Sequence, residues 1–239
     1  MSKDFFIIAG PCSVESQEQM EIIANDLSQY SDVVALRGGA FKPRTNPNSF
    51  QGLGKAGLDI LSLIKDKYKM PIVSELMSID DIELFKDVDV IQIGARNMQN
   101  FELLKAVGKL DKPIILKRGF GNTIDELIAS AEYIKQAGND KIILCERGIR
   151  TFETRTRFTL DISSVIVLKE LTNYPVIVDP SHAAGKSEYV IPLAKAANAV
   201  GADGIIVEVH NDPLNALSDQ AQQLTLEKFA ILYNEIMKG

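Results

Sequence analysis

The sequence has few cysteines and no long apolar run. Two cysteines among 239 residues offer no disulfide framework, and unpaired thiols suit a reducing compartment. No stretch approaches the ~18 consecutive apolar residues of a membrane-spanning helix, and the first apolar run is too short for a signal peptide. These absences argue against a disulfide-stabilised secreted scaffold and against a membrane-spanning protein, and we expect a cytoplasmic protein.

Positive charge is also scarce overall. The 26 lysines and arginines are outnumbered by 32 acidic residues, which gives a formal net charge of -6. This balance argues against nucleic acid and anionic membranes as partners. The cations nevertheless concentrate at the ends of short apolar runs, and this placement favours small anionic ligands.

Eight short apolar runs alternate with segments of helical periodicity, a pattern typical of strand and helix units around a parallel sheet. The predicted strands are 5–9, 33–36, 71–73, 90–93, 113–116, 141–144, 175–178 and 204–207. The predicted helices are 15–30, 54–68, 79–86, 97–108, 124–137, 160–171, 188–200 and 224–237. Pro71, Pro113 and Pro175 are predicted to open strands, and Thr123 with Glu126 to form a capping box.

Eight such units predict a single α/β domain over residues 1–239, folded as a (β/α)8 TIM barrel. The chain length suits this fold, which typically has about 250 residues. An open doubly wound sheet is the alternative, because it also alternates strands and helices. The first predicted strand lacks the G-x-G-x-x-G turn typical of that alternative, which favours the closed barrel.

A charged or metal-binding residue follows each predicted strand. In a TIM barrel the carboxyl ends of all eight strands surround one mouth, where active sites lie. We therefore expect one site built from Cys12, Arg37, Glu75, Arg96, Lys117, Arg147, His182 and Glu208. The loop 38–52 is about three times the usual connection length, which is more typical of a functional loop than of a simple connection.

One group of these residues has the chemistry of a metal site. A thiolate, an imidazole and two carboxylates form a ligand set too soft for Mg²⁺ or Ca²⁺ and suited to Mn²⁺, Fe²⁺, Co²⁺ or Zn²⁺. The set is Cys12, His182, Glu208 and Asp219. The first three follow predicted strands 1, 7 and 8, which are neighbours in a closed barrel. Alternatively, they are a buried cysteine, a loop histidine and ordinary surface acids.

A second group is cationic. Lysine and arginine are rarely buried without partners, so cations gathered in one mouth require anions. The six cations are Arg37, Lys42, Arg44, Arg96, Lys117 and Arg147. Two phosphates and one carboxylate match them better than one phosphate, which predicts two phosphorylated ligands or one doubly phosphorylated ligand. Any single arginine could instead form a surface salt bridge, and Lys117 could form a Schiff base.

The sequence resembles the type I 3-deoxy-D-arabino-heptulosonate 7-phosphate (DAHP) synthases of the β subgroup along essentially its whole length. The shared motifs are Gly10-Pro11-Cys12-Ser13, Arg37-Gly38-Gly39, Lys42-Pro43-Arg44-Thr45, Ser49-Phe50-Gln51-Gly52-Leu53-Gly54, Ile93-Gly94-Ala95-Arg96, Leu116-Lys117-Arg118-Gly119, Cys145-Glu146-Arg147-Gly148, Asp179-Pro180-Ser181-His182-Ala183, Glu208-Val209-His210 and Ala216-Leu217-Ser218-Asp219. The resemblance implies a metal-dependent, aldol-like condensation of phosphoenolpyruvate with erythrose 4-phosphate, the first step of the shikimate pathway.

The resemblance also implies residue roles. The metal ligands would be Cys12, His182, Glu208 and Asp219. Phosphoenolpyruvate would be held by Arg37, Lys42, Ala95, Arg96, Lys117 and Arg147. Erythrose 4-phosphate would be bound by Arg44, Thr45 and Asp179.

Two catalytic roles are predicted beside the metal ligands Cys12 and His182. Lys42 would act as a general acid, which requires a pKa lowered by its cationic neighbours. Glu75 matches a position that orients water near the enol carbon. Glu75 could instead be a carboxylate at a helix N-terminus, where the helix dipole favours negative charge.

Other functions stay open. A 3-deoxy-manno-octulosonate 8-phosphate synthase, which takes arabinose 5-phosphate, is the nearest rival, and a Schiff-base aldolase using Lys117 is another. A barrel acting partly as a scaffold for a non-covalent chorismate mutase belongs to a different class. The resemblance suggests a homotetramer. Because Cys12 follows the start of the chain closely, we expect no regulatory domain before it and no inhibition by aromatic amino acids.

Overall fold

Eight parallel strands close into a barrel in the computed structural model, which describes residues 5–43 and 46–238. Each strand pairs with the next along the chain, and the last pairs with the first. The strands are β1 Phe6–Gly10, β2 Val33–Arg37, β3 Ile72–Glu75, β4 Val90–Ile93, β5 Ile114–Lys117, β6 Ile142–Glu146, β7 Val176–Val178 and β8 Gly204–Glu208. The predicted TIM barrel is confirmed, and the open doubly wound alternative is wrong.

Helices surround the barrel. They are α1 Gln17–Leu27, α2 Lys55–Tyr68, α3 Phe101–Val107, α4 Ile124–Gln136, α5 Ser163–Leu171, α6 Pro180–Ala184, α7 Ser187–Ala199 and α8 Leu226–Met237. The predicted third helix is instead a 3-10 helix, Ile79–Phe85. The sequence analysis missed α6, because five residues are too few to show a helical period. No helix within the described residues is long and apolar enough to cross a membrane.

The prolines and the capping box predicted from the sequence lie at or next to the ends of strands and helices. The three prolines immediately precede β3, β5 and β7, one residue outside the strands that they were predicted to open. Their carbonyls still accept bonds from the preceding strand, as between the Leu36 amide and Pro71 at 2.8 Å. Proline supplies this acceptor without a donor, so it fits a strand entrance. The capping box of Thr123 and Glu126 at α4 is confirmed.

The barrel interior is a small apolar layer distinct from the larger core between strands and helices. It consists of Ile8, Ala35, Val73, Ile115, Cys145, Ile177 and Ile206, all nearly inaccessible. Because successive strand residues point to opposite faces, the residue two positions further along also faces the interior. Above this layer the interior positions become polar, and they form the floor of the mouth.

Candidate active site

The alternation of the strands aims five polar side chains at one point. Arg37, Glu75, Lys117, Asp179 and Glu208 each lie two residues beyond an interior apolar residue of β2, β3, β5, β7 or β8. All except Glu75 are almost completely buried. The apolar layer therefore both closes the barrel and fixes the direction of the site residues.

Three of the four predicted metal ligands converge closely. The ligand atoms of Cys12, Glu208 and Asp219 all lie within 4.8 Å of one another. His182 completes the group, with Nε2 3.3 Å from Oε1 of Glu208 and 3.7 Å from Oδ2 of Asp219. Cys12 lies in the loop after β1, His182 in α6 after β7, Glu208 at the end of β8 and Asp219 in the loop after β8.

The histidine is oriented by a buried carboxylate. Nδ1 of His182 lies 2.7 Å from Oδ2 of Asp179, and the His182 amide donates to Oδ1 at 2.9 Å. Burial alone would raise the pKa of Asp179, but His182 and Lys117 hold it well below its ordinary value. A carboxylate on Nδ1 leaves Nε2 to face the candidate metal ligands, a common arrangement behind metal-bound histidines.

The loop that carries Asp219 is tied to the loop after β1. The Cys12 amide donates to Oε1 of Gln223 at 2.9 Å, and Nε2 of Gln223 donates to the carbonyl of Ser218 at 2.9 Å. The hydroxyls of Ser13 and Ser218 lie 2.6 Å apart. Asp219 has a φ of 48°, a left-handed conformation that is uncommon outside glycine. These contacts bring a ligand from a distant loop to Cys12.

The donor set and one buried atom fit a divalent transition metal. Oε1 of Glu208 is buried and has no hydrogen-bond partner among the described residues, although it faces His182 and Arg37. A buried carboxylate oxygen rarely lacks a donor, so a cation is a suitable partner for it. Burial, with Glu208 and Asp219 nearby, raises the pKa of the Cys12 thiol to about 12. Metal binding must therefore displace the thiol proton.

Cations adjoin the candidate metal ligands and line the rest of the mouth. Nζ of Lys42 donates to the carbonyl and Sγ of Cys12, both at 2.9 Å, and Nζ of Lys117 lies 2.5 Å from Oδ2 of Asp179. Nη2 of Arg37 lies 3.3 Å from Oε1 of Glu208. Its Nε and Nη1 atoms are buried without a hydrogen-bond partner in the described chain. Because Nε and Nη1 belong to one guanidinium and both lack a partner among these residues, they could together donate hydrogen bonds to an anionic ligand.

The expected lowering of the Lys42 pKa is wrong. Burial alone would lower this pKa, but interactions with Cys12 and Glu208 outweigh burial and the repulsion from Arg37, and the pKa is raised. Cationic neighbours can be identified from the sequence, whereas the contact between the Lys42 ammonium and the Cys12 thiol depends on the folded loops. Lys42 therefore stays charged more firmly than an ordinary lysine.

Glu75 ends β3 rather than beginning a helix. It lies three residues before Ser78, the N-cap of the 3-10 helix, and the acids of that first turn are Asp80 and Asp81. Nε2 of Gln92 donates to Oε2 of Glu75 at 3.0 Å. The alternative of a carboxylate at a helix N-terminus is therefore wrong, and Glu75 faces the mouth.

The remaining predicted residues differ in placement. Ala95 and Arg96 line the mouth from the loop after β4, with Arg96 exposed, whereas Arg147 is buried. Asp179 is fully buried against Lys117 and His182, so its contact with a sugar stays a prediction. Arg44 and Thr45, predicted to bind a phosphate, lie outside the described residues.

Both sides of the site border one cavity of about 80 Å³. It is lined by Arg37, Lys42, Pro43, Glu75, Gln92, Gly94, Ala95, Arg96, Lys117, Phe120, Arg147, Arg157, Phe158, His182 and Asp219. Six of these residues were not predicted as site residues, and of the six only Pro43 and Gly94 lie within the shared motifs. Gln92 occupies an interior strand position, so the two-residue period could have found it. Phe120, Arg157 and Phe158 lie on loops, where no period points to them.

The barrel and this side-chain set define a candidate active site in which a candidate metal centre adjoins a cationic surface. Residues 2–238 match the model of the DAHP synthetase I family. The chain belongs to this family.

The chain is also similar to individual proteins with known names. It is 56% identical to phospho-2-dehydro-3-deoxyheptonate aldolase of Thermotoga maritima, over 98% of this chain and 69% of the relative. A crystal structure of that aldolase, also called DAHP synthase, aligns with a TM-score of 0.95 and covers 98% of this chain and 68% of the other. A 2-dehydro-3-deoxyphosphooctonate aldolase of Syntrophotalea carbinolica is 32% identical, over 97% of this chain and 89% of the relative.

Proposed function

We propose that this enzyme condenses phosphoenolpyruvate with erythrose 4-phosphate and water to give DAHP and inorganic phosphate. The observation that carries this proposal is the junction of the metal cluster with the cationic surface at Glu208. There Oε1 lies 3.3 Å from both the imidazole of His182 and the guanidinium of Arg37. An electrophile and an anionic nucleophile bound on the two sides would meet at this point.

Different residues of the chain would bind the metal and phosphoenolpyruvate. Cys12, His182, Glu208 and Asp219 would hold a divalent metal, which supplies Lewis-acid polarisation of the aldehyde. Arg37, Lys42, Arg96, Lys117 and Arg147 would hold phosphoenolpyruvate, assisted by Ala95, and fix C3 within attack distance of the aldehyde carbon. A bond then forms between these two carbons, and the aldehyde oxygen takes a proton.

Completion of the reaction requires water at the former enol carbon. Glu75, held by Gln92, would orient that water toward C2, where positive charge develops. The water oxygen bonds to C2 and loses one proton, which gives a tetrahedral carbon. The bond between C2 and the phosphate oxygen then breaks as the new hydroxyl passes its proton to the departing phosphate, which leaves a ketone and inorganic phosphate. The raised pKa of Lys42 favours a permanently charged group that binds phosphoenolpyruvate and disfavours the general-acid role, which needs a lowered pKa. Arg44, Thr45 and Asp179 would hold erythrose 4-phosphate.

The test is phosphoenolpyruvate consumption and phosphate release with erythrose 4-phosphate, before and after EDTA and with Mn²⁺, Fe²⁺, Co²⁺ and Zn²⁺ restored singly. We expect activity that EDTA abolishes and at least one metal restores. Activity unaffected by complete metal removal would contradict the metal-dependent mechanism.

The second candidate function is suggested by relatives that are named octulosonate-type aldolases. The 32% identity to an octulosonate-type aldolase makes arabinose 5-phosphate the alternative aldose, while 56% identity to the heptonate-type aldolase favours the four-carbon sugar. Phosphate release with each sugar decides between them. The Schiff-base alternative is disfavoured because Lys117 is buried against Asp179.

The organisation of the protein is also proposed by resemblance. We propose a single domain over residues 1–239, a cytoplasmic location, a homotetramer and a non-covalent chorismate mutase as a possible partner. Sedimentation velocity tests the tetramer. Co-elution with the mutase, followed by an activity assay of the complex, tests the partnership and any scaffold role.

A further inference from the structure

Two phenylalanines from different loops stack beside Arg147 in the mouth. Phe120 follows β5 and Phe158 follows β6, and their ring centroids lie 5.0 Å apart with planes 7° from parallel. The guanidinium carbon of Arg147 lies 4.9 Å from the Phe120 centroid and 4.2 Å from the Phe158 centroid. All three side chains line the cavity, so the arrangement belongs to the site rather than to the outer core.

The same pair is surrounded by further arginines. Arg96 and Arg150 lie 5.3 and 5.7 Å from the Phe120 centroid, and Arg157 lies 6.0 Å from the Phe158 centroid. Like charges gathered in this way repel one another. The negative faces of aromatic rings offset that repulsion without cancelling the charge.

Arg147 depends on the rings more than its neighbours do. It is 3% exposed, and among the described residues it forms no ion pair, although the Asp179 and Glu146 carboxylates favour its charge from further away. Its hydrogen bonds to the carbonyls of Gly148 and His182 are long, at 3.4 and 3.5 Å. A buried guanidinium is costly without partners. The rings stabilise this charge without taking up an N–H donor, and the two long bonds to carbonyls engage the donors of Arg147 only weakly.

The backbone fixes both rings. The Phe158 amide donates to the carbonyl of Ala183 at 3.0 Å, and the Phe120 carbonyl accepts from the Arg150 amide at 2.6 Å. Gly148 has a φ of 91°, and a Cβ there would lie 2.7 Å from Cβ of Phe158. The absence of a side chain at Gly148 therefore permits the close approach of Phe158 to the loop that carries Arg147.

We propose that Phe120 and Phe158 form an aromatic clamp that positions Arg147 for the anionic groups of phosphoenolpyruvate, with Phe158 as the more sensitive positioning residue. The inference rests on the proposed function for the identity of the anion. A carboxylate in place of the rings would orient Arg147 equally well but would compete with the substrate for its N–H groups. The clamp avoids this competition.

The test compares Phe158→Leu, Phe158→Tyr and Phe101→Leu in the metal-loaded protein. Phe158→Leu should raise the KM and the calorimetric Kd for phosphoenolpyruvate about 3- to 30-fold, the loss of one cation–π contact, with kcat within about twofold of the parent. Phe158→Tyr keeps the ring and should bind like the parent. Phe101 stacks on Tyr133 at 4.5 Å beside Lys105 on the outer surface, so Phe101→Leu is the matched control and should also bind like the parent.

Unchanged phosphoenolpyruvate affinity in Phe158→Leu would overturn the clamp, as would an equal loss in Phe158→Tyr. A fall in thermal stability and kcat in both Phe158 variants, without a specific rise in Kd, would assign the ring to packing and also overturn it. The proposed function fails separately if the parent binds phosphoenolpyruvate but does not consume it with erythrose 4-phosphate. In that case the calorimetric comparison still tests the clamp.

Discussion

The two sides of the mouth hold their functional groups by different means. On the metal side, Asp179 orients His182, and Gln223 ties the Cys12 amide to the loop of Asp219. On the anion side, Arg147 contacts two aromatic rings and makes only long hydrogen bonds to carbonyls. In the proposed mechanism, ligands that must meet at one ion are fixed by hydrogen bonds, whereas the arginine that would bind a mobile substrate is held without a carboxylate partner among the described residues.

Two buried ion pairs join the sides. Arg37 faces Glu208 at 3.3 Å, and Lys117 faces Asp179 at 2.5 Å. Each pair links a predicted substrate residue to a metal ligand or to the residue that orients one. Removal of one partner leaves an uncompensated buried charge, which is strongly destabilising. A disturbance on one side should therefore reach the other through these pairs.

Loss of a metal-side ligand should have the largest effect. Cys12→Ala removes the thiolate from a cluster whose ligand atoms lie within 4.8 Å. Substitution of a residue that only orients a metal ligand costs about 10- to 100-fold in metal affinity or activity. We therefore expect removal of the ligand itself to lower both metal affinity and activity by more than about 100-fold. Metal content by elemental analysis and phosphate release measure the effect. Retention of stoichiometric metal and normal turnover would contradict this role of Cys12.

A lower pH should also weaken metal binding. The pKa values of Glu208 and Asp219 are lowered, and that of His182 is lowered chiefly by burial. At neutral pH the two carboxylates are therefore ionised and the imidazole is neutral, so none of the three must lose a proton to bind a metal. The Cys12 thiol, with a pKa of about 12, does carry one. Metal binding should therefore release one proton and weaken about tenfold for each unit of pH lost between pH 8 and 7.

Calorimetry of metal binding in buffers of different ionisation enthalpy measures this proton release directly. A matched Cys145→Ala variant keeps the second buried thiol out of the measurement, because Cys145 lies in the barrel interior. The account is wrong if metal affinity does not change between these pH values.

On the anion side, Arg37→Lys should weaken phosphoenolpyruvate binding while metal binding persists. The substitution keeps the charge facing Glu208 but removes the fork that contains the two unsatisfied N–H groups. Hydrogen bonds to charged groups contribute about 1.5–3 kcal/mol, so we expect a rise in KM of about 10- to 100-fold. Initial-rate kinetics and metal titration separate the two properties. Equal losses of metal and substrate affinity would show that the sides are not separable at Arg37.

The sequence could predict the directions of the site residues because they follow the strand period. Arg37 and Lys117 continue the interior positions of Ala35 and Ile115, so their meeting in one mouth follows once the barrel is recognised. The raised pKa of Lys42 could not be predicted in this way, because it depends on a 2.9 Å contact between two loops.

The aromatic clamp was likewise invisible in the sequence. Phe120 and Phe158 lie on separate loops, and their stacking depends on backbone contacts such as that of Phe158 with Ala183. Loop conformation has no period, so composition cannot distinguish a phenylalanine in the mouth from one in the core. The helix cap of Thr123, by contrast, is encoded within four residues and was predicted correctly.

The smallest effect should come from that cap, which belongs to neither side of the mouth. The Thr123 hydroxyl accepts from the Glu126 amide at 3.2 Å, and the Glu126 carboxylate accepts from the Thr123 amide at 2.8 Å. Thr123→Ala should lower the free energy of unfolding by about 1 kcal/mol, while Thr123→Ser should retain most of it. Chemical denaturation measures both variants. Because α4 begins outside the network that joins the two sides, metal affinity and the KM for phosphoenolpyruvate should match the parent. A change in either would mean that the coupling extends beyond the buried ion pairs into the helical shell.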